Sequence, residues 1–458
     1  MKEFARFSDM ISELGDVIRS YRRIKRAWTS EDKSTDDYLA ATCLLEFPTY
    51  RLLQKNDQDP FIGFRLIYRS LLRFKSNHTL TPSDGSSKSM IIGGHVGWEN
   101  HSIRLIERSS RARVYGYISK DRISFKDQFS IGLMTRWLWF ALGIAFQCMR
   151  KGNRQGRAML IVEVLEIAWL LHFLKEKNME LVYDYVPYEI DSNWMYTLLR
   201  ERGYRVIKVP SSVPLAIHNW VLMADAVVLT TPYQVEESKR FKHTFRVKEI
   251  YRWLPEKLPE YEKLYFPNPP KTQPKTLGFY SHGEWHRGKD NKSVFGHRIG
   301  VTERKILNYL GRFTEQHPEY ILRVFPHPRE REDADLMRQF YQREIGHDRF
   351  EISVTSGGTS NHFHDCDIAV VVFSTILYER LFCGFKTFIG NSDIQEFPMN
   401  RSSLESICFR TFEELSSLIL RYSDVDNPTF FQQTGIADYE SSHYRRNETE
   451  QAIPVDQF

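Results

Sequence analysis

Two consecutive α/β domains, each a parallel sheet covered on both faces by helices, are what this sequence predicts. Three observations carry the prediction. The length, 458 residues, exceeds what one hydrophobic core usually serves. Strand-like and helix-like segments alternate in two long runs. A proline-dense stretch separates those runs. Most of the strand-like segments are unbroken apolar stretches, which buries both sheet faces.

Residues 1–84 read as a helical extension. FSDMISELGDVIRSYRRIKRAW and PFIGFRLIYRSLLRF place apolar side chains at three- and four-residue spacing, and the polar SNHTLTPSDGSSKS ends the extension. Arg19, Arg22, Arg23, Lys25 and Arg26 cluster in the first helix, and Arg65, Arg69, Arg73 and Lys75 in the second. Two readings stand for these basic faces: peripheral contact with anionic lipid on the inner side of the cytoplasmic membrane, or ordinary solvated surface.

Residues 85–254 carry the first alternation. SMIIGGHVG is a strand closing on glycines, WENHSIRLIERSS a helix, and ARVYGYIS the next strand, which together make a βαβ unit. ELVYDYVPYE, DSNWMYTLLRERG, YRVIKVP and ADAVVLTTP continue it. Residues 255–274 hold Pro255, Pro259, Pro267, Pro269, Pro270 and Pro274 and read as a linker. The second alternation, 275–423, runs through TLGFY, TERKILNYLGRFTEQHP, YILRVFPHP, REREDADLMRQFYQREIG, FEISV, CDIAVVVF, STILYERLFCG, KTFIGN and TFEELSSLILRYS. The polar remainder, 424–458, is expected to be poorly ordered except where it docks back on the body. Each alternation reads as a Rossmann-like domain.

Bulk properties narrow the function. The net charge of +5 is too mild to indicate a nucleic-acid partner. Cys43, Cys148, Cys366, Cys383 and Cys408 show no CxxC spacing, so neither a disulfide framework nor a zinc site is indicated and a reducing, cytoplasmic compartment fits. The start MKEFARFSDM has no secretory h-region. The most apolar stretch, Trp137 to Met149, is shorter than the roughly 20 residues a bilayer span needs.

In an open parallel sheet, ligands sit outside the carboxyl ends of the strands. In the second domain those positions hold Ser281, His282, Gly283 and Glu284 after TLGFY, then Pro326, His327, Pro328, Arg329 and Glu330 after ILRVF. Ser374 and Thr375 follow DIAVVVF and open a helix that carries Glu379. The hydroxyls of Ser374 and Thr375 can hold a phosphate or simply cap the helix. Two prolines fix the backbone of His327, whose imidazole can donate to a phosphate oxygen or serve the turn. In the first domain, His95 and Glu99 in GGHVGWEN and Asp184 in VYDYVPYE stand at strand ends, where each can act as a catalytic base or fix a loop. Gly93, Gly94 and Gly97 let that backbone come close to a ligand. Trp98 and Trp194 suit either sugar stacking or core packing. No Asp-x-Asp follows a strand; Asp365 to Asp367 precede one. Phosphate charge is therefore expected to meet helix dipoles, His327 and basic residues such as Arg329 or Lys289, with no required metal or other cofactor.

FPHPRE, followed some way on by FSTILYERLFCGFKTFIG, resembles the HP and Ser-Ser/Thr signatures of GT-B glycosyltransferases that use cytidine-nucleotide donors. These include bacterial sialyltransferases, polysialyltransferases and Kdo transferases, with the related CDP-glycerol glycerophosphotransferases. The resemblance covers the C-terminal third and has Ser-Thr where the family has Ser-Ser. It implies two Rossmann-like domains facing a central cleft. His327 with Pro328, and Ser374 with Thr375, would bind the donor phosphate, with His282 beside them; His327 would aid nucleotide departure and Glu379 would meet the ribose. It further implies a CMP-linked sugar donor and a surface-glycan or lipid-linked glycan acceptor held by the first domain. Three alternatives stay open: transfer of a polyol phosphate from a CDP donor, a non-catalytic subunit assisting a partner enzyme, and an acyltransferase. For the last, His95 to Glu99 is one residue too short for the His-x4-acid box.

Overall fold

A computed structural model describes residues 2–28, 78–80, 87–93, 99–110, 113–119, 167–168, 170–185, 192–209, 222–229, 245–252, 258–266, 270–283, 285, 294–353, 359–372, 374–390, 402–436 and 453–454. Helix α1 (Lys2–Trp28) comes first, and a short strand β1 (His78–Leu80) leads into the first sheet. That sheet continues with β2 (Ser89–Gly93), α2 (Glu99–Ser110), β3 (Gly116–Ser119), β4 (Leu181–Asp184), α3 (Ser192–Glu201), β5 (Arg205–Lys208), β6 (Leu222–Leu229) and β7 (Phe245–Arg252). Its central strands run in the order β3-β2-β4-β5-β6-β7, all parallel. Ile91, Ile106, Tyr117, Tyr183, Ile207 and Val228 are buried between this sheet and its helices.

The apolar stripe of α1 buries Leu14, Val17 and Ile24. Polar contacts fix its register on α3: the Trp194 indole N–H donates to Ser20 Oγ at 3.3 Å, and Arg202 pairs with Glu13 at 2.6 Å and with Asp16. Trp194 is fully buried in this contact, so it is a packing residue and not a sugar platform. Arg19, Arg22 and Arg26 remain on the exposed side of α1. The second basic helix of the extension, and the run Trp137 to Met149, lie outside the described residues.

Part of the proline-dense connector is helical. Helix α4 (Leu258–Tyr265) tolerates Pro259 because the first turn of a helix leaves that N–H unused anyway. Tyr261 and Tyr265, four residues apart, share one face and pack on Phe363, Phe382 and Phe385. The Tyr265 and Phe363 rings stack at 5.6 Å. That contact attaches the connector to the second sheet.

The second sheet is built from β8 (Thr276–Tyr280), α5 (Val294–Gln316), β9 (Ile321–Phe325), α6 (Ala334–Ile345), β10 (Phe350–Ile352), β11 (Ile368–Val371), α7 (Ile376–Phe382), β12 (Thr387–Gly390) and β13 (Cys408–Phe409), then α8 (Phe412–Tyr422) and α9 (Asn427–Thr434). Its order is β10-β9-β8-β11-β12-β13, all parallel. Counted from β8 this is 3-2-1-4-5-6, the doubly wound dinucleotide-fold order. The core takes in Phe430, Phe431 and Ile436, beyond the boundary at 423 drawn from the sequence. Those side chains are apolar inside a polar stretch, and Asp426 caps their helix by accepting from Thr429 N at 2.8 Å. At the far end of the chain, β14 (Ile453–Pro454) returns to pair antiparallel with β7 of the first sheet, Ile453 beside Ile250. The chain thus has the expected class: two Rossmann-like α/β domains in succession.

Helices α5 and α6 approach each other where Gly311 presents bare backbone. A Cβ at Gly311 would stand 2.0 Å from the carbonyl oxygen of Ile345, and backbone cannot swing aside as a side chain can. Gly311→Ala is therefore expected to cost about 1–3 kcal/mol or more. Denaturant unfolding would measure it; a cost near zero would contradict the close approach.

Candidate functional site

The chain reverses direction across the second sheet between β8 and β11, and the crevice above such a reversal is where ligands bind in this topology. Tyr280 is in register with Phe325 on one side and Val371 on the other, so three strands end level. Ser281, His282 and Gly283 continue from β8, Pro326 and His327 from β9, and Val372, Ser374 and Thr375 from β11. At the usual strand spacing the outer two columns stand about 10 Å apart with His282 between them. His282, His327, Ser374 and Thr375 are all partly exposed, and Pro328 is exposed.

The loops after β8 and β9 touch. Gly283 adopts φ 76°, and a Cβ there would lie 2.9 Å from the Cβ of His327. Only glycine meets both demands. Below them Glu330 is fully buried and gathers donors: Ser281 Oγ at 2.9 Å, the Tyr341 hydroxyl at 3.0 Å, the Trp285 indole N–H and the backbone N–H of His327. Glu330 N in turn donates to His327 O at 2.9 Å. The Glu330 carboxylate thus caps the start of the short 3-10 turn Pro328–Glu332, and the backbone bond from Glu330 N to His327 O closes that turn. Burial pushes the Glu330 carboxyl above its usual range, and the hydrogen bonds from His327, Ser281, Tyr341 and Trp285 oppose that shift. A second buried carboxylate, Glu303 on α5, accepts the backbone N–H of His282 and lies 3.4 Å from Ser281 Oγ. Trp285 stacks on Phe340 at 4.4 Å, which fixes the far side of this loop.

At the end of β11, Ser374 Oγ accepts from Ile376 N at 3.3 Å, so one lone pair of that hydroxyl serves the helix start. Thr375 makes no side-chain cap; its Oγ1 donates to Glu379 Oε1 at 3.2 Å, and the Tyr261 hydroxyl of α4 donates to Glu379 Oε2. Glu379 is therefore held between the connector helix and Thr375.

In the first sheet the reversal falls between β2 and β4, with Ile92 beside Asp184. Asp184 is fully buried, and Lys208, its register partner on β5, is equally buried and donates to Asn193 Oδ1 at 2.6 Å. Asp184 thus has no open face toward an acceptor in this structure. His95, Gly94, Gly97 and Trp98 lie outside the described residues, as do Glu284 and Lys289; of Glu99 only the backbone, the first residue of α2, is described. The side chain of Arg329 also lies outside them. Among the described residues no group of three or more His, Cys, Asp or Glu is placed to hold a metal ion, and no helix is long and apolar enough to cross a membrane.

Sequence reasoning named the strand ends but assigned no role to Glu330, Glu303 or Ser281. A partial signal existed: Glu330 stands three residues after His327, the spacing at which a glutamate side chain reaches back to the backbone N–H that starts a helical turn.

No protein-family model matches the chain, and none of the curated proteins does. Among solved structures, a mutant O-GlcNAc transferase from Thermobaculum terrenum is 13% identical with a TM-score of 0.43, covering 95% of this chain and 78% of that one. MnaA of S. aureus with UDP is 10% identical with a TM-score of 0.46, covering 78% of this chain and 93% of that one. MurG of Acinetobacter baumannii is 11% identical with a TM-score of 0.43, covering 81% and 97%.

Proposed function

We propose that the chain is a metal-independent glycosyltransferase that moves a sugar from a nucleotide-activated, CMP-linked donor to a bacterial surface-glycan acceptor. One observation carries the reading: two histidines and a hydroxyl pair end level at the reversal point of a 3-2-1-4-5-6 sheet. Such a row suits an anionic phosphate. His327 and His282 would donate from imidazole N–H groups, and Ser374 and Thr375 from their hydroxyls. His327 would stabilise the negative charge that grows on the departing nucleotide, which is the charge the site must bind more tightly in the transition state than in the ground state. The donor's phosphate and the acceptor would occupy the cleft expected between the domains. His95 or Glu99 would take the proton of the attacking hydroxyl, since Asp184 is enclosed.

A thermal-shift screen against CMP, CDP, UDP and GDP tests this. A ligand at 100 times its Kd stabilises the folded state by about 2.7 kcal/mol. The cytidine nucleotides are expected to raise Tm most. A larger shift with UDP or GDP would replace the base assignment, and no shift with any of the four would end the nucleotide-sugar reading. Hydrolysis of CMP-sugars in preference to CDP-polyols would then separate sugar transfer from polyol-phosphate transfer.

A further inference from the structure

Each of the two strand-end histidines is tied through its backbone N–H to a different buried glutamate, His327 to Glu330 and His282 to Glu303. One hydroxyl, Ser281 Oγ, lies within hydrogen-bond reach of both carboxylates and accepts from Gly283 N at 2.9 Å. We infer that Glu330 is a positioning residue: through Ser281 and Glu303 it makes the His282 loop and the HP turn one rigid unit and so sets the spacing of the two imidazoles.

The inference rests on the phosphate-binding reading above but stands on its own geometry. The buried carboxylate turns no oxygen outward; it accepts from Ser281, Trp285, Tyr341 and the His327 amide, all of them protein groups that can donate. Glu330 therefore acts on a ligand only through what it holds. An ordinary turn would need one cap. Here the carboxylate also reaches a neighbouring strand end through Ser281, a loop through Trp285 and helix α6 through Tyr341. The titratable groups facing this cluster are Glu303 from α5 and Tyr341 from α6, with His282 and His327 above. Ser281 has a single proton, so it donates to one carboxylate at a time and the two glutamates share it. Loosening any member shifts both histidines.

The test uses the full chain, CMP as probe, and three readouts: Tm, the Kd for CMP well below Tm, and the chemical shift of the His327 backbone amide. Glu330→Gln is nearly isosteric but turns one acceptor into a donor, against His327 N–H or the other donors. It is expected to weaken CMP binding about tenfold, the low end of what loss of an orienting partner costs in other sites, while the His327 amide moves upfield. Ser281→Ala, a milder change, is expected to weaken binding in the same direction and to be non-additive with Glu330→Gln. If both variants bind CMP as the parent does and the His327 amide stays in place, the positioning role is wrong. A fall in Tm with unchanged Kd would also overturn it, leaving Glu330 a stability residue. If the parent itself binds no CMP, the proposed function falls and the inference is judged by the amide alone: movement in Glu330→Gln upholds the brace, and no movement ends it.

Discussion

Replacing His327 by alanine is expected to weaken CMP binding roughly 10- to 100-fold while leaving Tm nearly unchanged. The magnitude follows from a hydrogen bond to a charged group, about 1.5–3 kcal/mol, with each 1.4 kcal/mol worth a factor of ten. The small effect on stability follows from where the side chain sits. His327 is partly exposed, so its removal opens no core cavity. What holds the turn is backbone: His327 N donates to Glu330, Glu330 N donates to His327 O, and alanine keeps both. His282→Ala is expected to act in the same direction, because its backbone N–H is likewise the part that Glu303 holds. Titration calorimetry with CMP and a melting curve for each variant would check this. Unchanged affinity in His327→Ala would remove the phosphate from the end of β9 and with it the main support for the proposed function.

The prominence of these strand ends was legible because of how parallel sheets bury. Runs such as LGFY and IAVVVF are apolar without alternation, and ILRVF is broken only by Arg323, so their limits, and the polar residues just past them, can be read directly. Strand order could not be read, since pairing is non-local: β8 lies between β9 and β11, and no local pattern says that the chain reverses there. The connector misled for a different reason. Its prolines suggest irregular chain, yet Pro259 occupies a first helical turn and the Tyr261/Tyr265 pair meets an aromatic surface formed by residues a hundred positions away. Glu379 shows the same limit. As a helix carboxylate near a strand end it invites a ligand, and the hydroxyl that reaches it from α4 becomes visible only in three dimensions. Asp184 reads as a strand-end acid, but its side chain is fully buried.

The amino ends of the same strands make the second large prediction, on stability. Lys386 and Asp367 are almost fully buried at the starts of β12 and β11. The ammonium lies 2.9 Å from Asp367 Oδ1 and donates to Tyr422 O, on the last residue of α8, at 2.9 Å and to Val425 O, in the turn that follows, at 2.8 Å. Thr272 Oγ1 completes the carboxylate's shell at 3.0 Å. Lys386→Ala strips the cation from a buried anion and orphans two carbonyls, a loss expected to reach about 3–5 kcal/mol. The pH dependence has a definite sign. Burial, working against the Lys386 charge, already lifts the Asp367 carboxyl above its ordinary value of 3.8. A carboxyl with a raised folded-state pKa contributes stability below its unfolded pKa and loses it as pH rises through the folded value. Without Lys386 the lift is greater, so the deficit of Lys386→Ala relative to the parent is expected to be smaller near pH 4 and larger near pH 7. Removing both charges, Lys386→Met with Asp367→Leu, leaves no buried ion and is expected to cost less than Lys386→Ala alone. Denaturant unfolding at the two pH values measures all three chains. A deficit that does not change with pH, or a double replacement worse than the single one, would mean that this buried pair does not hold β11, β12 and the end of α8 together.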